Sequence, residues 1–347
     1  MPTTVPVIQT PSAGAPFERS TVELRDVGPN DVQIDIAFAG ICHSDIHQAR
    51  EEWGKAIFPM VPGHEIAGVV TQVGSDVTKH RVGDRVGIGC FVDSCRECEN
   101  CLAGEQQFCT KGNVATYNGR QYSGEPTYGG YAKQIVADEN YVLSIPEGIS
   151  LDEAAPLLCA GITTYSPLKH WGAGPGKKVA VVGMGGLGHM AVKIAHALGA
   201  EVTVISQTLS KQEDGLKLGA DHYYASSDPE TFTTLRSSFD LIINTISADM
   251  DIDAYARTLR LNGTMVFVGL PENPQSFGAG SLIGGRRSLA GSNIGGIPET
   301  QEMLDFCAEH HIGAEIETIS ADDVDDAYER VVGSKVRYRF VIDTATI

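Results

Sequence analysis

The apolar positions of this chain change their spacing along its length. Over the first 150 residues they come in short runs cut by Gly, Pro and Asp. Val32-Gln33-Ile34-Asp35-Ile36 alternates apolar and polar positions, which predicts a strand with one buried face. Ile66–Val73 is β-rich and almost continuously apolar, and Val82-Gly83-Asp84-Arg85-Val86 reads as a turn feeding another strand. A segment of this kind predicts a small β-barrel with irregular loops and little helix.

From Leu151 the spacing turns helical and then alternates. Leu151–Tyr165 predicts a helix and Lys178–Val182 a buried strand. Leu187–Leu198 predicts a helix with Leu187, Met190, Ala191, Ile194, Ala195 and Leu198 on one face. Glu201–Ile205, Asp240–Asn244 and Thr264–Gly269 predict further strands, with helices over Lys211–Leu218 and Asp251–Leu261, and Ser288–Ile294 predicts a last strand. Alternating β and α units call for a doubly wound parallel sheet covered on both faces. Beyond these, helices near Thr300–His310 and Asp322–Val332 and a strand Arg339–Ile342 fit neither unit by pattern alone.

Composition narrows the function. A chain of 347 residues holds two domains. Its 26 basic and 44 acidic residues give a net charge of −18, which repels a phosphate backbone, so nucleic acid is not an expected partner. No run of about 18 apolar residues is present to span a membrane. Met1 to Pro16 carries no basic cluster followed by an apolar run, so no secretory leader is expected and the cytoplasm is the expected location. Eight cysteines in that reducing compartment point to metal rather than disulfides.

Two motifs carry chemistry on their own spacing. Val179 to Val182 runs into Gly183-Met184-Gly185-Gly186-Leu187-Gly188 and then a helix, a dinucleotide-binding turn in its required context. Gly183 makes the turn, Gly185 admits the pyrophosphate, Gly186 and Leu187 lead into the helix start, and Gly188 allows close packing. The next strand ends Ser206-Gln207-Thr208 with no carboxylate, and Lys211 follows, so NADP is favoured over NAD. The second motif is Cys95-x2-Cys98-x2-Cys101-x7-Cys109, four thiols spaced to wrap a structural zinc ion. Cys90 and Cys307 fall outside that spacing and read as packed thiols.

The remaining reactive groups are scattered, and residue patterns alone do not join them. Gly63-His64-Glu65-Ile66-Ala67-Gly68, with Gly74 and Val77, resembles the signature of zinc-containing medium-chain dehydrogenases. Gly40-Ile41-Cys42-His43-Ser44-Asp45 and Leu158-Cys159-Ala160-Gly161-Ile162-Thr163 resemble the cinnamyl-alcohol-dehydrogenase branch, in particular its actinobacterial NADP-dependent alcohol dehydrogenases. With the cysteine lobe and the nucleotide motif, the resemblance covers nearly the whole chain.

The resemblance implies a GroES-like β-barrel catalytic domain over 1–150 and 295–347, with a structural-zinc lobe at 90–110, and a Rossmann NADP-binding domain over 151–294. It implies that Cys42, His64 and Cys159 bind a catalytic zinc, one of two ions per chain, and that Glu65 fills the fourth position when substrate is absent. Such an ion acidifies an alcohol or polarises an aldehyde. Asp45 is implied to orient His64. Ser44 and His47 are implied to relay the proton to solvent, with Ser44 also touching the cofactor ribose and His43 near its phosphates. Thr163, Thr245, Gly269, Ser292, Asn293 and Ile294 are the further implied NADP contacts, in a cleft that closes over the cofactor. A homodimer is implied as well.

The chain departs from plant cinnamyl alcohol dehydrogenases at two aromatic walls: Ala115 stands before Thr116-Tyr117-Asn118 where they carry Trp, and Asn293 replaces a Phe. Broad aliphatic and aromatic aldehydes and primary alcohols are therefore the expected substrates, with Trp53 a candidate apolar wall. Two other readings stay open: a zinc-dependent polyol or secondary-alcohol dehydrogenase, and a non-catalytic NADPH-binding protein on the same fold.

Overall fold

The computed structural model describes residues 3–271 and 273–347. The N-terminal reading thus includes two residues, Met1 and Pro2, outside the described set. The chain forms two compact units, Met1–Ile162 with Gly295–Ile347, and Thr163–Ile294.

The first unit is built around the strand Asp31–Gly40. It pairs with Ile66–Val73, Gln134–Asp138 and Arg339–Asp343, all antiparallel. Two register shifts against Ile66–Val73, between Gln33 and Ile34 and between Ile36 and Phe38, bend the strand so that one length serves three partners. Ile66–Val73 continues to Arg85–Ile88 and then Leu143–Ser144, and Ile316–Ile319 closes the other side on Arg339–Asp343. Val32, Ile34, Ile66, Val86, Ile88, Tyr131, Phe340 and Ile342 fill the core, which explains the alternation read in the sequence. The C-terminal segment left unassigned by pattern belongs here, because Val341 pairs with Gly40.

Helix is scarce in this half, but one short helix matters. His43–Ala49 follows directly on the central strand, with Asp45, Ile46 and Ala49 buried. Seven residues are too few to show a clear helical period.

The predicted helix over 151–165 is broken. Leu151–Ala154 passes into a 3-10 turn, Ala155–Leu158, and a new helix runs Ala160–His170. Pro156 lacks the amide proton an unbroken helix would use, and Cys159 sits at the break with φ −126° and ψ −67°. Leu158 packs within the first unit. A Cβ at Gly87 would lie 2.6 Å from Leu158 Cδ1, and one at Gly89 2.9 Å from the Leu158 carbonyl. Two glycines therefore let the barrel wall come close enough to seat Cys159.

The second unit is a six-stranded parallel sheet. In spatial order its strands are His222–Ala225, Glu201–Ser206, Lys178–Val182, Phe239–Asn244, Leu259–Phe267 and Ser288–Gly291. The order reverses between Lys178–Val182 and Phe239–Asn244, the switch point where such sheets bind ligands. Two expectations need correction. His222–Ala225 is a strand that four edge residues were too short to announce. The helix expected over Asp251–Leu261 spans only Ile252–Thr258, because Leu259 is fully buried and pairs with Phe239, which draws it into the strand.

Candidate active site

Cys42, His64, Glu65 and Cys159 converge within the first unit. Their ligand atoms lie within 4.8 Å of one another and all four residues are buried. Cys42 Sγ stands 3.8 Å from Cys159 Sγ. Two thiolates held tetrahedrally about 2.3 Å from one ion are about 3.8 Å apart, so the pair has the spacing of a shared cation. Cys42 caps the helix His43–Ala49, His64 and Glu65 stand just before the strand Ile66–Val73, and Cys159 lies at the helix break.

Asp45 organises this group. It is fully buried and accepts from the Cys42 amide (2.8 Å), the Gly63 amide (3.3 Å) and His64 Nδ1 (3.1 Å). Nδ1 therefore faces Asp45, and Nε2 is the nitrogen that can bind a metal. Tyr131 O–H reaches Asp45 Oδ2 at 3.5 Å, and Tyr328 follows at 3.2 Å. Burial pushes the hydroxyls of Tyr117, Tyr131 and Tyr328 well above the usual phenol range, so these groups stay neutral.

Glu65 forms a buried ion pair with Arg339 through Oε1, while Oε2 has no partner. Burial pushes this carboxyl up to about 7 against the pull of Arg339. Gly40 makes room for it, since a Cβ there would come within 2.0 Å of Glu65 Oε2. A hydrogen bond with Cys159 holds Cys42 well below the ordinary thiol range, with His64 and Arg339 adding to the effect, and Cys159 is raised in return.

The helix that supplies Asp45 also carries Ser44 and His47. Cys42 Sγ lies 3.6 Å from Ser44 Oγ. His47 Nδ1 bonds Glu52, its ring stacks on Trp53 (centroids 4.6 Å, 22°), and His43 lies 5.1 Å away. Trp53 is 45% exposed, so this end of the helix meets solvent.

The four-cysteine lobe forms a second cluster. Cys95, Cys98, Cys101 and Cys109 also bring their sulfurs within 4.8 Å of one another, with Cys95 and Cys101 3.8 Å apart. Backbone N–H groups point at the sulfurs, Cys98 to Cys95 Sγ (3.4 Å) and Cys95 to Cys109 Sγ (3.5 Å), as thiolates require. Backbone hydrogen bonds, the largest at Thr110, draw Cys98 down to about 5, while burial pushes Cys101 up to about 11.

In the second unit, Gly183 turns with φ +94° and a Cβ there would meet Ile246 at 2.5 Å. A Cβ at Gly188 would fall 2.1 Å from the Gly183 carbonyl, whereas nothing lies within 4 Å of one at Gly185. The helix Gly188–Ala197 has no side-chain cap at its start, the end of a helix that favours an anion, and its His189 amide bonds the Gly185 carbonyl. Ser206 ends its strand with Gln207 and Thr208 exposed beyond it, and Lys211 Nζ reaches the Met184 carbonyl in the turn (2.9 Å). Thr245 Oγ1 donates to Val182 (2.8 Å), and Gly269 donates its amide to Asn244. Thr163 Oγ1 is buried without a partner. Ser292 continues from the last strand, Asn293 follows it, and Ile294 takes φ +37°, a strained conformation for a β-branched residue.

Two profiles match the chain: the alcohol dehydrogenase GroES-like domain over residues 28–147, and the zinc-binding dehydrogenase over 186–309. NADP-dependent alcohol dehydrogenase C 1 of Mycolicibacterium smegmatis is 64% identical, covering 99% of both chains. The chain belongs to the zinc-containing medium-chain dehydrogenases. Among solved members of this family, a cinnamyl alcohol dehydrogenase from Sorghum bicolor superposes with a TM-score of 0.96 at 44% identity, over 99% of this chain and 98% of that one. CAD from Helicobacter pylori, solved with NADP(H), gives 0.94 at 45% identity, over 99% of each. The GroES-like barrel and the Rossmann sheet are therefore the family's two folds.

Sequence reasoning gave no functional role to five residues of these sites. Arg339 had a signal, a lone charge opening an otherwise apolar strand. Asn244 had a positional one: it ends a central strand at the switch point, with Nδ2 buried and unpartnered. Glu52 and Tyr117 had none, because each acts through a side-chain contact that no sequence period encodes. Cys90, read as packed, hydrogen-bonds Cys159, which lowers its thiol below the ordinary range.

Proposed function

We propose that this chain is an NADP(H)-dependent alcohol dehydrogenase and aldehyde reductase. Its catalytic zinc would be held by Cys42, His64 and Cys159, with Glu65 as the resting fourth ligand. A second, structural zinc would be held by Cys95, Cys98, Cys101 and Cys109. The observation that carries the reading is the buried Cys42–Cys159 pair at 3.8 Å, beside a histidine whose other nitrogen is occupied by Asp45. The unpartnered Glu65 Oε2 supports a fit to a cation. The open space at Gly185 and the uncapped helix start support a fit to a dinucleotide.

When bound, zinc supplies a Lewis acid for an alcohol or aldehyde oxygen, and the nicotinamide ring takes or gives the hydride. The protein supplies orientation and a proton path. Asp45 fixes the tautomer of His64. Ser44 passes a proton towards His47, and Glu52 holds the His47 ring at the solvent end. Gly183, Gly185, Gly186, Leu187 and Gly188 take the pyrophosphate. Ser206, Gln207, Thr208 and Lys211 take the 2′-phosphate, since no carboxylate stands there to repel it. Thr163, Thr245, Gly269, Ser292, Asn293 and Ile294 complete the cofactor contacts.

With Ala115 and Asn293 in place of aromatic walls, the substrates are broad: aliphatic and aromatic aldehydes and the matching primary alcohols. A homodimer through Ser288–Gly291 suits the fold. This strand ends the sheet, and because Ser292 N–H turns inward to Phe267, the amides of Leu289 and Gly291 turn outward. Eight cysteines with no disulfide among the described residues suit a reducing cytoplasm. No helix among the described residues is long and apolar enough to cross a membrane.

The test is a panel of benzaldehyde and octanal assayed with NADPH and NADH, and of sorbitol assayed with oxidised NADP and NAD, before and after chelation. Turnover of both aldehydes with NADPH, abolished by chelation and restored by zinc, is the expected result. Preference for sorbitol with NADP, or turnover that survives loss of all metal, contradicts the reading.

A further inference from the structure

Asp45 leaves one freedom of His64 unchecked. The Asp45 bond at Nδ1 sets the in-plane direction of the ring, but an imidazole can still tilt about that bond. Tyr117 lies alongside the imidazole. Its ring is almost fully buried and runs nearly parallel to the imidazole, with centroids 5.7 Å apart and 19° between planes.

The tyrosine is itself held from several sides. Its hydroxyl accepts from Gln48 Nε2 at 2.8 Å. Gln48 Oε1 accepts from Asn118 Nδ2 at 2.7 Å, and Asn118 Oδ1 accepts from the Ile57 amide at 2.7 Å. Asn118 sits at φ +52°, a left-handed conformation that asparagine tolerates and that sends the chain from Tyr117 back over the helix. Gln48 belongs to His43–Ala49, the helix of Ser44, Asp45 and His47. One ring thus links the candidate ligand His64 to the helix carrying the proton path.

We propose that Tyr117 is a positioning residue for the catalytic zinc, a flat stop that keeps His64 Nε2 aimed at the ion. The proposal rests on the zinc assignment made above. A ring that merely fills core volume would be replaceable by any side chain of similar size. A flat stop needs an aromatic face but no hydroxyl.

The test follows zinc release to a chromogenic chelator from Tyr117→Leu, Tyr117→Met and Tyr117→Phe enzymes, with the four-cysteine zinc as internal reference. Leu and Met should weaken the catalytic ion about 10–100-fold, the usual cost of losing a group that orients a metal ligand. The reference ion should be unaffected, and Phe should restore near wild-type retention. Cobalt-substituted Leu and Met enzymes should also show a changed thiolate–cobalt absorption. Wild-type release and an unchanged cobalt spectrum in a folded Leu or Met variant overturn the proposal; Met preserves volume, so it carries the test if Leu does not fold. The two readings fail differently. If Cys42→Ser holds as much zinc as wild type, the assignment of the ion fails. If Cys42→Ser loses one ion while the Tyr117 variants keep it, only the role of Tyr117 fails.

Discussion

At the scale of single residues, the site depends on groups that do one thing because a neighbour forbids another. Asp45 is buried and accepts from Cys42, Gly63, His64 and Tyr131, so it holds His64 by Nδ1 and leaves Nε2 as the nitrogen that can meet a metal. His47 is held between Glu52 and the Trp53 ring, close to solvent, where the proposed proton path ends. A His47→Gln enzyme should lose about 10²-fold in alcohol oxidation near neutral pH, the scale of one general acid–base group. The deficit should shrink as pH rises and hydroxide takes over the proton. A rate–pH profile superimposable on wild type removes His47 from the path.

Elements decide which of those residues meet. Strands with one buried face were legible, because Val32–Ile36 alternates, although the two register shifts against Ile66–Val73 had no signal in that pattern. The glycine turn was legible too, since its residues are consecutive and each has a local reason. What stayed hidden was distance. Cys159 lies 117 residues from Cys42, and only the break after Leu158 and the glycines at 87 and 89 bring them together. Resemblance supplied that ligand set where spacing could not. Glu52 and Tyr117 had no sequence signal, because each acts through a side-chain contact that no period encodes.

The cysteine lobe is an element with its own prediction. It docks on the start of the helix Ile297–Glu309, where Gln106 Oε1 accepts from the Ile297 amide at 3.0 Å and a Cβ at Gly296 would strike the Gly104 carbonyl. Cys101→Ser should remove one zinc per chain and cost on the order of 3 kcal/mol of stability. That corresponds to a fall in melting temperature of roughly 6–12 °C in a unit of this size. Turnover per folded enzyme, measured well below melting, should hold. Loss of turnover with unchanged melting would assign this lobe to chemistry instead.

For the whole molecule, the division of labour is between a barrel that gathers metal ligands and a sheet that presents its switch point to a dinucleotide. The open edge at Ser288–Gly291 predicts a solution mass twice 37.0 kDa by light scattering, and a stable monomer contradicts the shared-edge dimer. The central claim is that a metal ion joins Cys42, His64 and Cys159, and diffraction recorded at the zinc absorption edge tests it most directly. The account predicts two anomalous peaks per chain, one among those three residues and one among Cys95, Cys98, Cys101 and Cys109. A crystal of active enzyme with no peak between Cys42 and Cys159 would contradict it.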